Sequence, residues 1–379
     1  MKFRLYLIIY NTWVVIISFH TKFSKKFRHF SSTKLAAGMI VLALLLVPAI
    51  VKLSSQPARE DELRKKPSSN TTQNTSPPTL IDGTTIPTGE TTVVTQQPAP
   101  TTSPVVSSCL TTVGSLPVDL WVWQSAVATD AAQSNALFTF AKANNVKTVY
   151  LESEKLINTD QTSLGTFIKN AKSNCVDVVL LYGAADWAFT RNHAYAVSLA
   201  QKSVAFANQA AVAPVGIQYD VEPYNLEEYK ADINSGANQY LDMLEKIKSA
   251  TNGSKLYFAK TMPLGFEYQP VTRNGITMPL SHATIDRVDH IALMDYRDTA
   301  SRIISDASDE LTYAAMKGKK VVIGVETSCT TGEVETITFC EEGKSYMFTE
   351  LQKVKDAYSS NGAYVGLAVH DYEAFKILK

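Results

Sequence analysis

Eight short runs of β-branched and aromatic residues, separated by amphipathic segments, predict a (β/α)8 barrel over residues 108–379. The runs are 118–123, 146–152, 176–182, 215–222, 255–261, 288–296, 320–326 and 364–371. Helical periodicity occupies 131–144, 194–209, 236–250, 302–316 and 346–358 between them. C-caps are expected at Asn144, Gly253, Gly318 and Gly362, each just before the next strand. Such a barrel takes roughly 250 residues, and the region from Pro117 onward supplies 263. A doubly wound sheet would want a glycine-rich phosphate turn after its first strand. The segment after Trp123, QSAVATD, has no glycine.

The formal net charge of zero hides an asymmetry. Residues 1–66 hold 12 Lys/Arg against 3 Asp/Glu, whereas 117–379 hold 24 against 31, a net of −7. An acidic globular part argues against nucleic-acid binding, which needs a basic face to displace counterions. Leu35–Val51 carries no charge over 17 residues, the lower limit for crossing a hydrocarbon core. No small-x-small cleavage site follows, so residues 1–52 are expected to be an uncleaved membrane anchor. The weaker apolar run Leu5–Phe19 is broken by Asn11 and Thr12. Lys22, Lys25, Lys26, Arg28 and Lys34 lie between the two runs, which places that cluster in the cytoplasm and the barrel outside the cell. Residues 53–107 are expected to form a disordered linker. In 67–107, 24 of 41 residues are Ser, Thr or Pro, too few of them apolar to offset ordering entropy.

The chain has four cysteines. Cys109 and Cys175 fall at the bottom of the expected barrel, and Cys329 and Cys340 in one loop at its top. Proximity selects Cys109–Cys175 and Cys329–Cys340 as disulfides, which suits an oxidising compartment.

Residues at the C-terminal strand ends of such a barrel surround its active-site mouth. Here those ends carry Glu152, Asp220, Glu222, Asp295, Glu326 and Asp371. Carboxylates that interrupt apolar strands are costly to bury, so six converging on one mouth imply a function. The spacing Asp220-x-Glu222 puts both side chains on one strand face. Two carboxyl groups that close cannot both ionise freely, so one should hold a proton, as a general acid must. Trp121 and Trp123 on the first strand and Trp187 after the third would offer faces for sugar C–H groups. Trp121 also suits core packing. Tyr224, Arg297 and Asp298 are mouth candidates by position, with Arg297 expected to pair with Asp295 or Glu326.

The segment Gly216-Ile-Gln-Tyr-Asp-Val-Glu-Pro223 resembles the fourth strand of family-18 chitinases, which ends DGxDxDxE. Gly216, Asp220 and Glu222 match the glycine, the last aspartate and the catalytic glutamate, while Val215 and Gln218 replace the first two aspartates. Met294-Asp-Tyr296 on the sixth strand is similar to the family's Met-x-Tyr, and the strand-eight tryptophan is replaced near His370. The resemblance implies that Glu222 protonates the glycosidic oxygen. Asp220 would then orient a substrate acetamide as internal nucleophile, and Tyr296 would hold it. A second template, the retaining glycosidases of clan A, also places its acid at Glu222-Pro223 but puts a nucleophile at Glu326. The clan's usual Asn before the acid is Val221 here.

No HExxH or HxxxH spacing marks a zinc site, and neither a Gly-x-Ser-x-Gly elbow nor a Walker loop is present. No cofactor and no built-in zinc site are therefore expected, although a carboxylate-rich mouth could still bind a metal such as calcium. The expected function is hydrolysis of a polysaccharide or oligosaccharide by a membrane-tethered extracellular barrel. Catalysis falls to Glu222, Asp220 and Glu326, and binding to Trp123, Glu152, Trp187, Asp295, Tyr296, Arg297 and Asp371. The alternative is a carbohydrate-binding scaffold on a degenerate barrel.

Overall fold

The computed structural model describes residues 116–329 and 335–379. Eight parallel strands close into a barrel, labelled here β1 (Val118–Val122), β2 (Val146–Glu152), β3 (Asp177–Tyr182), β4 (Gly216–Tyr219), β5 (Tyr257–Pro263), β6 (His290–Met294), β7 (Lys320–Glu326) and β8 (Tyr364–His370). β8 pairs with β1 through Asp119–Ala368 and Leu120–Val369, which closes the ring and leaves no sheet edge. Each of the eight expected runs forms a strand, and the five expected helical stretches are all helical. The expected anchor at 1–52, the linker at 53–107 and Cys109 lie outside the described residues. Among the described residues no helix is long and apolar enough to cross a membrane.

Strand alternation divides the core in two. Leu120, Val122, Leu180, Ile217, Ile291, Leu293, Ile323 and Val369 face outward and pack under the helices. Trp121, Tyr150, Val179, Leu181, Ala292, Val322 and Ala368 face inward and fill the barrel. Trp121 lies across this interior only because Gly324 has no side chain; a Cβ there would stand 2.8 Å from the indole.

Helix ends depart from expectation in detail. Gly318 takes the left-handed conformation at the end of Ser308–Lys317, and Gly253 has a positive φ after Ile233–Thr251. Asn144 is the C-cap of the first helix, as expected, with the positive φ falling on Asn145, whereas Gly343–Tyr358 is capped by Ser359 rather than Gly362. A two-stranded antiparallel hairpin, Pro270–Arg273 with Ile276–Pro279, is inserted after β5. Cys329 and Cys340 are joined as expected, and Cys175 is disulfide-bonded.

The ends of β3 and β4 approach unusually closely. Asp220 N–H donates to the Tyr182 carbonyl at 2.7 Å, and a Cβ on Gly183 would stand 2.1 Å from the Asp220 carbonyl oxygen. Gly183→Ala should therefore force the two strand ends apart and cost roughly 1–3 kcal/mol, as overpacking does. Chemical denaturation against the parent measures it, with an unchanged midpoint as the contrary result.

Candidate active site

A cleft of about 280 Å³ opens at the C-terminal end of the barrel. Trp121, Trp123, Asp220, Glu222, Tyr224, Thr261, Pro263, Met294, Tyr296 and His370 line it. β4 ends at Tyr219, and the extended chain beyond it carries Asp220 and Glu222 to the same side. β6 ends at Met294, and the same alternation brings Met294 and Tyr296 into the cleft.

The two acids differ in their surroundings. Asp220 and Glu222 both line the cleft. Burial pushes Asp220 up to about 6; Lys260 and His370 oppose that shift, and Glu222 adds to it. Its Oδ1 is buried without a hydrogen-bond partner. Glu222 is half-buried, and its Oε2 accepts from Tyr224 Oη at 2.7 Å and Asn225 Nδ2 at 2.9 Å. Lys260 on β5 is fully buried. Burial lowers its ammonium to about 8 although Asp220 and Glu222 act to raise it, and it donates to the Thr261 carbonyl.

Glu326 does not line the cleft. It is buried behind His370, where Oε1 accepts from the backbone N–H groups of Thr327 and Ser328, both at 2.7 Å. Its Oε2 stands 2.8 Å from His370 Nδ1. Trp123 Nε1 donates to His370 Nε2 at 2.9 Å. An indole N–H can only donate, so Nε2 accepts and the proton of neutral His370 sits on Nδ1, pointing at Glu326. Burial works to lower the His370 pKa, but the hydrogen bond and charge of Glu326 leave it raised. Protonating Nε2 would set N–H against N–H at Trp123, so that contact favours the neutral ring.

Of the six carboxylates expected at the mouth, only Asp220 and Glu222 line the cleft. Asp295 alternates with Met294 and Tyr296 and so points outward, fully buried, with both carboxylate oxygens unpartnered. Burial pushes it up to about 8, and Asp306 and Glu310 add to that. Asp371 caps the last helix, Tyr372–Ile377, by accepting from Ala374 N–H at 3.0 Å. Glu152 accepts from Glu154 N–H at 2.8 Å and stays out of the lining. Arg297 pairs with Asp306 at 2.8 Å, not with Asp295 or Glu326. Trp187 is buried against Tyr195 and Tyr219, with ring centroids at 5.5 and 6.2 Å, and packs rather than facing a ligand.

Trp123, Tyr296 and Tyr224 do reach the cleft, and Trp121 forms its floor. Sequence reasoning missed Lys260, whose only signal is the second lysine of the run KLYFAKT, set within its apolar part. It also missed the link from His370 to Glu326 and Trp123, which joins three strands and leaves no local pattern.

No family model and no curated protein matches the chain. Among solved structures, a fungal β-1,4-galactanase aligns at 13% identity and a TM-score of 0.46, covering 68% of this chain and 88% of its own. A GH18 chitinase from Pseudoalteromonas aurantia aligns at 12% and 0.46, covering 68% and 94%. A chitinase from Chromobacterium violaceum ATCC 12472 aligns at 13% and 0.41, covering 69% and 96%. The functional reading rests on the residues of the cleft itself.

Replacing Glu326 by Gln should reverse the His370 tautomer. The amide oxygen would keep the backbone N–H bonds, its NH2 would face Nδ1, and the imidazole proton would move to Nε2, breaking the Trp123 contact. The Trp123 indole N–H resonance reads this directly: a clear shift is expected, and an unmoved resonance contradicts the assignment.

Proposed function

We propose that the barrel hydrolyses glycosidic bonds of a polysaccharide or oligosaccharide, with Glu222 as general acid and Asp220 as its partner. The observation that carries this reading is the Asp220–Glu222 pair lining one cleft with Trp121, Trp123 and Tyr296. Indole faces suit the C–H faces of sugars, and two carboxyl groups in one buried space share a proton, which supplies the acid.

Asp220 favours the substrate-assisted route over a covalent glycosyl-enzyme. Its Oδ1 is a buried acceptor with no protein partner, and an N–H from a 2-acetamido group would satisfy it. The acetamide oxygen would then attack the anomeric carbon as Glu222 protonates the departing oxygen, and water would open the resulting ring. A Glu326 nucleophile is disfavoured, because its oxygens already accept three hydrogen bonds and His370 stands between it and the cleft. The expected uncleaved anchor Leu35–Val51 would hold this activity at the outer face of a membrane, a placement supported only by the apolar run and its basic flank.

Turnover of acetamido-sugar polymers by the full chain tests the reading, beside neutral sugar polymers as controls. Glu222→Gln should reduce kcat by 10²–10⁴-fold, the range general acids supply, with binding retained. Binding without turnover in both parent and Glu222→Gln would instead identify a carbohydrate-binding scaffold. The pair must hold one proton to act, and Asp220 is raised to about 6. Activity should therefore fall as pH rises past about 6, and a profile that climbs from pH 6 to 8 would contradict the shared proton.

A further inference from the structure

A second acidic cluster, on the outer side of the barrel, has no part in the cleft. Glu267 lies in the turn Leu264–Tyr268 after β5, and Asp309 and Glu310 open the helix Ser308–Lys317. One carboxylate oxygen from each lies within 4.8 Å of the other two. Acidic residues in a first helical turn complement the helix dipole, which accounts for the exposed Asp309. His282 also binds that residue, at 2.7 Å from Oδ2.

Neither reason covers Glu310. Its side chain is fully buried, and both carboxylate oxygens lack any hydrogen-bond partner. Buried polar groups are ordinarily satisfied, because leaving one bare forfeits its hydration with nothing in return. The surroundings make matters worse. Glu267, Asp309 and Asp306 all press on Glu310, and Asp306 is already committed to Arg297. What is missing is positive charge at the point where Glu267, Asp309 and Glu310 meet.

We propose that Glu267, Asp309 and Glu310 bind one hard divalent cation of the calcium or magnesium type, each giving a carboxylate oxygen, with water completing the shell. An all-oxygen, all-carboxylate donor set suits these ions, whereas zinc and copper prefer nitrogen and sulfur. The ion ties the turn after β5 to the helix after β6. That turn holds Phe266, which packs against Tyr224 at 6.0 Å and Tyr240 at 5.8 Å between ring centroids. Tyr224 in turn donates to Glu222. The cation is thus a brace two contacts removed from the cleft, and it stands whether or not the hydrolase reading holds. Histidine spacing bears only on a zinc site and cannot register three carboxylates drawn from two separate segments.

The competing account is a protonated Glu310 with no ion. The full chain, stripped with EDTA, separates the two through metal content and thermal unfolding in CaCl2 or MgCl2. We expect about one equivalent of one ion to be retained and the midpoint to rise by several degrees. Glu310→Gln fills the same volume without charge, so it should stay folded while binding the ion at least tenfold more weakly. Glu267→Gln, at a half-buried position, should do the same. No retained ion, with identical midpoints in EDTA and in either salt, overturns the proposal. So does a rise of equal size in parent and Glu310→Gln, which would put the ion elsewhere.

Discussion

Holding two carboxyl groups, Asp220 and Glu222, on the same side at the end of one strand is the constraint on which the cleft depends. Side by side in a buried space they repel, and the repulsion is relieved by a proton or a neighbouring cation. Burial raises Asp220 to about 6, which favours a proton on it, and Lys260 lies buried close enough to pull it back toward ionisation. Tyr224 and Asn225 take one oxygen of Glu222, which leaves the other side of that carboxyl for Asp220 and the cleft. The backbone meets the same demand: without the bare Gly183, the chain carrying Asp220 could not lie so close to β3.

The opposite wall works by a different principle. Glu326 was the natural candidate for a nucleophile from its place at the end of β7, yet the fold uses it as a hydrogen-bond terminus. Two backbone N–H groups and an imidazole N–H converge on it, so its charge is spent inside the protein. The same chain of bonds fixes the ring plane of His370 and the rotamer of Trp123. A cleft-lining indole is thereby held through His370 by a carboxylate that does not itself line the cleft.

Much of the fold was legible in the sequence because its signals are local. Runs such as VDVVLL and KVVIGVE declare buried parallel strands, and the helices between them carry an apolar stripe. The hairpin 270–279 was missed despite a clear sign: Asn274-Gly275, both with positive φ, between short runs. Within the site, two-residue alternation correctly joined Asp220 to Glu222. Applied to Met294-Asp-Tyr296, the same rule would have turned Asp295 outward, and being at a strand end was given too much weight. Asp371 shows a further limit, because an aspartate that ends a strand also begins a helix, and capping used its carboxylate. Lys260 and His370 act through partners on other strands, about which local sequence is silent.

What argues for chemistry rather than sugar binding alone is the cost of the arrangement. A surface that only held a glycan could use exposed carboxylates and aromatic faces, as solvated side chains bind hydroxyl groups at little expense. Here an aspartate is buried with one oxygen bare, and a lysine is buried deeply enough to bring its pKa down to about 8. Each of these weakens the folded state, since a buried charge regains only part of its lost hydration. Strain of this kind persists where the protein gains something from it, and proton transfer inside a dry cleft is such a gain. The two acidic clusters are separated by this logic. At the cleft the charge of Lys260 opposes that of the carboxylates, whereas the groups that bear on Glu310 are the acidic Glu267, Asp309 and Asp306, so a proton or an ion from solution has to supply the match.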